Sequence, residues 1–386
     1  MERPGRRVAA VLPIVGATLG AILLVAAGFS LVDSRGFAYD FGAYDSAARR
    51  VAAGEPLYPA DTAQAYSEGR YEGLYLYPPP LAVALTPVAL VPAREAAIGW
   101  FILRVLLLAL GCWAMPVSRT ARLATFAVAA VSFPVLFDLN LGNISVVVFA
   151  LSAFAWRLPD GPVAALIHAA LVAIRFPFGA FFALWLVQRR FRMIIFTVVA
   201  GLGLIVVSLP IVGVGAYRDY VTILAGLPDV STGLHNFSLK STALALGLPA
   251  AIASLATIFG LMASLAAIAF AARRRDVEVA FVVTAVATLL TAPFMHPHYL
   301  VMLLLPVALL VDRGRYWGLA LPLVGWLPIF GVLSDDAMPL VVLAILAVLL
   351  LPMREPAERR RGAGAASDAD PDADAPAAPI APAPVG

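Results

Sequence analysis

Few side chains in this sequence could do chemistry, and most of them stand where apolar runs begin or end. Asp40 precedes a short stretch of helical pattern with one apolar face, 41–53 (FGAYDSAARRVAA). A carboxylate shielded from water and held beside a hydroxyl can take its proton; an Asp in front of such a helix can equally be its cap. Asp45 falls on a different face of that helix, as a second candidate or a solvated surface charge. Arg175 stands alone between two apolar pieces, ahead of Phe176 and Pro177. A bare cation in lipid is costly and marks a functional contact. A guanidinium suits a phosphate, and snorkelling to the interface is its alternative. His296 and His298 flank Pro297, and both face one way only if the proline breaks the helix. They would then hydrogen-bond a phosphate or a sugar, ligate a metal as a weak two-histidine site, or pack at the interface.

The lesser candidates are loop and helix-end residues. His235, Asn236 and Lys240 share one segment: His235 is suited to hydrogen bonding, and Lys240 to phosphate or to an exposed loop position. Asn140 and Asn143 can bind a sugar or cap the helix that begins near 143. Tyr44, Tyr58, Tyr75 and Tyr77 can stack on sugar rings or belong to an aromatic belt. His168 lies inside an apolar run and reads as a paired core histidine.

The elements that must position these residues are membrane helices. Of 386 residues 62% are hydrophobic and 13% charged, against roughly 45–50% and about 25% in a soluble domain. The apolar residues come in long blocks without alternation, such as 193–214. In lipid the backbone satisfies its own hydrogen bonds, so the spans are helices and not barrel strands. The blocks are 8–31, 96–116, 121–137, 143–157, 162–174, 176–188, 193–214, 247–272, 277–294, 298–312, 316–332 and 338–353. They predict an all-α protein of about twelve crossings. Several blocks are short enough to be half-spans or re-entrant pieces. The first is longer than a signal-peptide core and reads as a retained span.

Arginine placement orients the path. With the N-terminus in the cytoplasm, 117–120, 158–161, 189–192 (RRFR), 273–276 (RRRD) and 313–315 (RGR) all fall inside. Two long segments remain outside, 32–95 and 215–246. The first carries the 41–53 helix and an apolar, proline-bracketed 81–91, both expected to lie along the interface. Residues 1–353 form the membrane domain; 354–386 begin basic, then turn Ala-, Pro- and Asp-rich, and are expected to be a disordered cytoplasmic tail. The single cysteine, Cys112, excludes an internal disulfide or a cysteine cluster. No Walker loop, dinucleotide fingerprint, zinc motif or nucleophile elbow is present, and no basic stretch is of a nucleic-acid-binding kind.

The stretches 40–58 (DFGAYDSAARRVAAGEPLY) and 75–92 (YLYPPPLAVALTPVALVP) resemble the amino-terminal signature of glycosyltransferase family 87. Further similar segments follow in order: 138–150 (DLNLGNISVVVFA), 174–192 (IRFPFGAFFALWLVQRRFR), 235–239 (HNFSL) and 291–306 (TAPFMHPHYLVMLLLP). The family usually has Lys where this chain has Arg175, which keeps the charge and changes its geometry.

The resemblance implies a GT-C fold and an inverting transfer of a sugar, mannose above all, from a polyprenyl-phosphate donor. The acceptor would be a glycolipid or glycan of the cell envelope, and the chemistry would take place on the outer face of a bacterial plasma membrane. It places the general base on Asp40. The substrate-binding candidates are Arg175, His296, His298, Lys240, His235, Asn236, Tyr44 and Asn143. No cofactor or metal is implied beyond the lipid-linked donor itself. Two rivals remain on sequence grounds. A transporter or flippase would want ionisable residues in mid-span, where Arg104 is the main one. A non-catalytic scaffold of an envelope-synthesis complex would tolerate the loss of Asp40.

Overall fold

The computed structural model describes residues 4–34, 36–68, 73–226, 236, 238–292 and 295–353, and the chain to Leu351 is one compact unit. Among the described residues every regular element is a helix. Helix α1 (Pro4–Val32) leads to the segment that holds α2 (Tyr39–Ala53), α3 (Thr62–Ser67) and α4 (Pro79–Leu85) with a 3-10 turn over Thr86–Leu90. Next come α5 (Ala93–Ala114), α6 (Arg119–Ala129), α7 (Phe133–Leu141), α8 (Ser145–Arg157), α9 (Pro162–Ile174), α10 (Ala180–Val187) and α11 (Phe191–Gly226). The remainder is α12 (Leu239–Ala245), α13 (Ala250–Arg274), α14 (Val277–Thr291), a 3-10 stretch Pro297–Leu303, α15 (Leu304–Asp312), α16 (Trp326–Ile329) and α17 (Met338–Leu349).

Four helices are long and apolar enough to cross a membrane: α1, α5, α11 and α13. A fifth span results if α6 and α7, bent by 62° at their junction, cross as one. The other apolar blocks form shorter helices, so helix length alone carries four or five crossings and not twelve. Several are tightly covered by protein: twelve of the fifteen residues of α14 are buried. Such short helices at membrane depth are tolerated where protein satisfies them.

The contacts between connections nevertheless sort by side. Arg190 pairs with Asp160 and donates to the Pro159 carbonyl; Arg313 pairs with Asp276 at 2.8 Å and Glu278 at 3.3 Å; and the Ser118 N–H donates to Asp312 at 2.7 Å. Each joins connections that the arginine rule puts inside. On the other side Arg94 meets Asp33 at 3.3 Å, Asn236 accepts the N–H of Met295 at 3.2 Å, and the Thr242 hydroxyl donates to the Asp336 carbonyl at 2.5 Å. An alternating path requires this sorting of like-sided connections.

Two local features shape the packing around α4. At Gly213 the backbone leaves the helix with φ 76°, a left-handed value that suits glycine. Pro210, one turn earlier, also weakens the helix there. Helix α11 packs on α4, and beyond the break Tyr220 stacks on Tyr58 with ring centres 6.1 Å apart. Helix α2 begins two residues earlier than its pattern suggests. Ala38 precedes it at φ 60°, held by its N–H to the Asn140 carbonyl at 2.7 Å. Small Ala43, Ala47 and Ala48 are buried, which lets α2 lie close on the 81–91 region. That region is α4 followed by the 3-10 turn, because Pro87 removes an amide that a continuing α-helix would need.

Candidate functional site

Asp40 is the half-buried second residue of α2. It does not cap the helix, since the cap position is Ala38 and no side chain bonds there. Instead its Oδ2 accepts a hydrogen bond from Asn143 Nδ2 at 2.8 Å. Burial pushes the Asp40 carboxyl above its ordinary range, while the Asn143 donor and the positive charge of Arg104 pull it back. The carboxylate is thus more basic than one in water, with one oxygen fixed.

Asn143 sits in the turn between α7 and α8. Its Oδ1 accepts the N–H of Ile144 at 2.7 Å, the hydroxyl of Ser145 at 3.1 Å and Arg175 Nη2 at 3.4 Å. Its carbonyl oxygen is therefore engaged ahead of α8 without capping it, since the cap position is Ile144 and no side chain bonds there, while the amide nitrogen reaches Asp40. Asn140 lies apart, accepting from the Ser34 hydroxyl at 3.2 Å.

Arg175 ends α9 and is only 8% exposed, so it does not snorkel. Its Nη2 also donates to Ser145 Oγ, and its guanidinium carbon lies 3.7 Å from the Tyr299 ring centre, a close cation–π contact. Nε is buried without a partner. Among the described residues Arg175 has no carboxylate at ion-pair distance. A buried cation without a counter-charge is unfavourable unless something anionic arrives.

Tyr299 connects this cation to the histidines. Pro297 opens a 3-10 stretch, and His296 and His298 come together with ring centres 5.6 Å apart and nearly parallel. Tyr299 lies 4.9 Å from His298. His298 is buried, and its Nδ1 has no partner. Among the described residues no group of three or more His, Cys, Asp or Glu side chains gathers, so the metal alternative for the two histidines finds no third ligand. Beside His298, whose ring centre is 6.1 Å from that of Phe137, a cleft is lined mainly by apolar residues, Phe133, Phe137, Pro297, Gly325, Pro328 and Ile329, with Asp335 at its wall.

The tyrosines are neither an exposed belt nor free platforms. Tyr44, Tyr58 and Tyr75 are buried. The Tyr44 hydroxyl donates to Tyr77 at 3.1 Å, Tyr58 to the Tyr77 carbonyl at 2.6 Å and Tyr75 to the Pro78 carbonyl at 3.0 Å. They tie α2 to the strap ahead of α4 and form one wall near Asp40.

Other expectations need correction. Asp45 is not a solvated surface charge: it is buried and ion-paired with Arg49 at 2.9 Å, whose guanidinium reaches the Val91 carbonyl at 2.8 Å. It fastens α2 to the end of the 81–91 region. His168 is a core residue among Phe181, Trp185 and Phe281, but its Nδ1 is unpartnered and not paired. Lys240 is not in an open loop but second in α12, which packs chiefly on α13. Asn236 accepts the N–H groups of Ser238 and Met295 through Oδ1. His235 lies outside the described residues.

The pattern of residue types did not disclose three participants. Tyr299 was available only as a neighbour in the histidine segment. Ser145 and Asp138 were signalled by nothing except their place in 138–150. Asp138 is the buried partner of Arg104 at 3.3 Å, so the mid-span cation has its counter-ion.

The chain's own arrangement thus puts a basic carboxylate, an unneutralised guanidinium and two imidazoles in one contiguous cluster beside a mainly apolar cleft. No curated protein matches the chain. The family model for glycosyltransferase family 87 matches residues 75–297, which takes in Tyr77, Arg104, Asp138, Asn143, Arg175 and His296; His298 and Tyr299 lie just past its end, and Asp40 lies well ahead of its start. With more than half of its length inside that match, this all-helical membrane protein belongs to glycosyltransferase family 87.

Proposed function

We propose that this glycosyltransferase takes its sugar, mannose, from a polyprenyl-phosphate donor and passes it with inversion to a lipid-linked or polymeric envelope glycan. The observation that carries the reading is the pairing of Asp40 with Arg175 through Asn143: a base and an unneutralised cation at opposite ends of one hydrogen-bonded chain. In the reaction the acceptor hydroxyl loses its proton to the free Oδ1 of Asp40 as its oxygen attacks the anomeric carbon. The bond from that carbon to the phosphate oxygen breaks on the opposite face, and its electron pair goes to the phosphate. The charge that develops there meets Arg175, with His296 and His298 as hydrogen-bond donors, where fixed cations help most. The cleft beside His298 is lined mainly by apolar residues, which suits an isoprenoid tail. A lipid-borne activated sugar also accords with a chain that has no nucleotide motif.

Purified protein in detergent with polyprenyl-phosphate mannose and a membrane glycan extract is expected to form a mannosylated product and free polyprenyl phosphate. Turnover with nucleotide-activated mannose and none with the lipid donor would overturn the donor class. Movement of a lipid or solute across vesicles without any transfer would favour a transporter instead.

The site is on the outer face of a bacterial plasma membrane in this reading, because the arginine-bearing connections meet on the opposite side. In a Cys112→Ala background, Asp61→Cys should react with an impermeant thiol reagent in intact cells and Ser367→Cys only after lysis. The reverse pattern would invert the topology.

A further inference from the structure

The transfer derived above makes no use of the most deeply buried charges in the molecule. Arg104 of α5 and Asp138 of α7 are both fully buried. Their contacts go beyond each other. Arg104 Nη1 donates to the carbonyls of Asp138 at 2.6 Å and Asn143 at 3.4 Å, and Nη2 to that of Leu139 at 3.0 Å. Asp138 Oδ1 accepts the N–H of Ser145 at 3.0 Å, and the Asp138 carbonyl accepts those of Gly142 at 3.0 Å and Asn143 at 3.2 Å. The turn 138–145 is therefore closed from inside by one ion pair.

From outside it is closed by α2 and α5. Gly142 has φ 78°, and a Cβ there would lie 2.7 Å from Phe41 Cβ and 3.1 Å from the main chain of Ala38. Trp100 Nε1 donates to the Gly142 carbonyl at 2.8 Å. From this clamped turn the Asn143 amide reaches Asp40. A buried ion pair gives little net stability over an apolar pair of the same volume. A guanidinium fork, however, can hold several carbonyls at fixed angles, which an apolar side chain cannot.

We propose that Arg104 and Asp138 are a positioning pair for glycosyl transfer: by fixing the turn 138–145 they hold Asn143 against Asp40, so that the second carboxylate oxygen stays free and aimed at the acceptor. The proposal rests on the reading of Asp40 as the base. Neither residue touches substrate, and both act through Asn143.

The test is a cycle of variants on the full-length enzyme with polyprenyl-phosphate mannose. Arg104→Met with Asp138→Leu removes both charges together, so that neither is left unpaired. Asn143→Ala removes the side chain through which they act. Each is expected to lower kcat by about 10–100-fold with a small change in donor KM, the scale of a misplaced reacting group. Combined, they should cost no more than the larger of the two, because both break the same link. The acid limb of the pH–rate profile should move to higher pH in both, because in each Asp40 loses the Asn143 hydrogen bond that favours its ionised form.

Additive losses, or an unchanged kcat and acid limb in folded protein, would overturn the positioning role. If the apolar pair does not fold, Arg104→Lys is read by the same two criteria, since it keeps the charge and gives up the grip on three carbonyls. The base reading fails separately, through an Asp40→Asn variant that keeps its turnover. Failure of positioning alone leaves activity dependent on Asp40 and indifferent to the pair.

Discussion

Asp40→Asn is expected to slow sugar transfer by roughly 10²–10⁴-fold at saturating donor and acceptor, the usual loss when a general base is removed. The variant should fold and insert as the parent does. Asn is the same size, and its own carbonyl oxygen can accept the Asn143 donor that now holds Oδ2. Burial raises the Asp40 pKa, so the folded protein favours the protonated form, and ionising the group as pH rises costs stability. A neutral amide removes that cost at neutral pH, and the melting temperature should not fall. For the same reason the parent's rate should decline on the acid side around a pKa above the usual carboxylate value, and Asp40→Asn should lose that dependence. Asp45→Asn is not a clean control, because Asp45 is buried against Arg49; Glu55→Gln, at an exposed site just past α2, is. An Asp40→Asn enzyme that keeps most of its turnover would remove the base from this residue.

Arg175→Ala is expected to cost about 10²–10³-fold in kcat, comparable to the loss of one electrostatic donor at a developing anion. Arg175→Lys keeps the charge and should retain more of the rate. It cannot, however, lie flat on Tyr299 at 3.7 Å and bond Ser145 and Asn143 together. The two variants therefore separate charge from shape in a rate assay with the lipid donor. Equal and large losses would assign Arg175 to holding Asn143 through its planar fork. No loss from either would make it a packing residue, and the leaving-group role would fall.

The comparison of sequence with structure is sharpest around α2. The period of 41–53 was sufficient for a helix there, and α2 runs Tyr39–Ala53. The same period made Asp40 a plausible cap, because a helix start is a local property. What displaced the cap was Asn140, 102 positions along the numbering, whose carbonyl sets Ala38 in the left-handed region, together with Asn143, which takes the carboxylate. Asp45 went astray for the related reason that Arg49, one turn on, folds over it towards Ala89 and Val91. A side chain's solvation depends on what covers it, and the cover came from another stretch of chain.

By itself the sequence determined that the protein is helical and lies in a membrane, since apolar blocks in lipid leave the backbone no other way to satisfy its hydrogen bonds. Connections grouped by their arginines are also found in contact, as Arg190 with Asp160 and Arg313 with Asp276 are. The ordered segments of the sequence were enough for the glycosyltransferase family. Only the tertiary structure decided that Asp40, Asn143, Arg175 and Tyr299 form one cluster, and that Arg104 is neutralised by Asp138. It also decided that most apolar blocks are short broken helices. These depend on contacts between residues tens to hundreds of positions apart, where burial and partner geometry, not residue type, fix what a charged side chain can do.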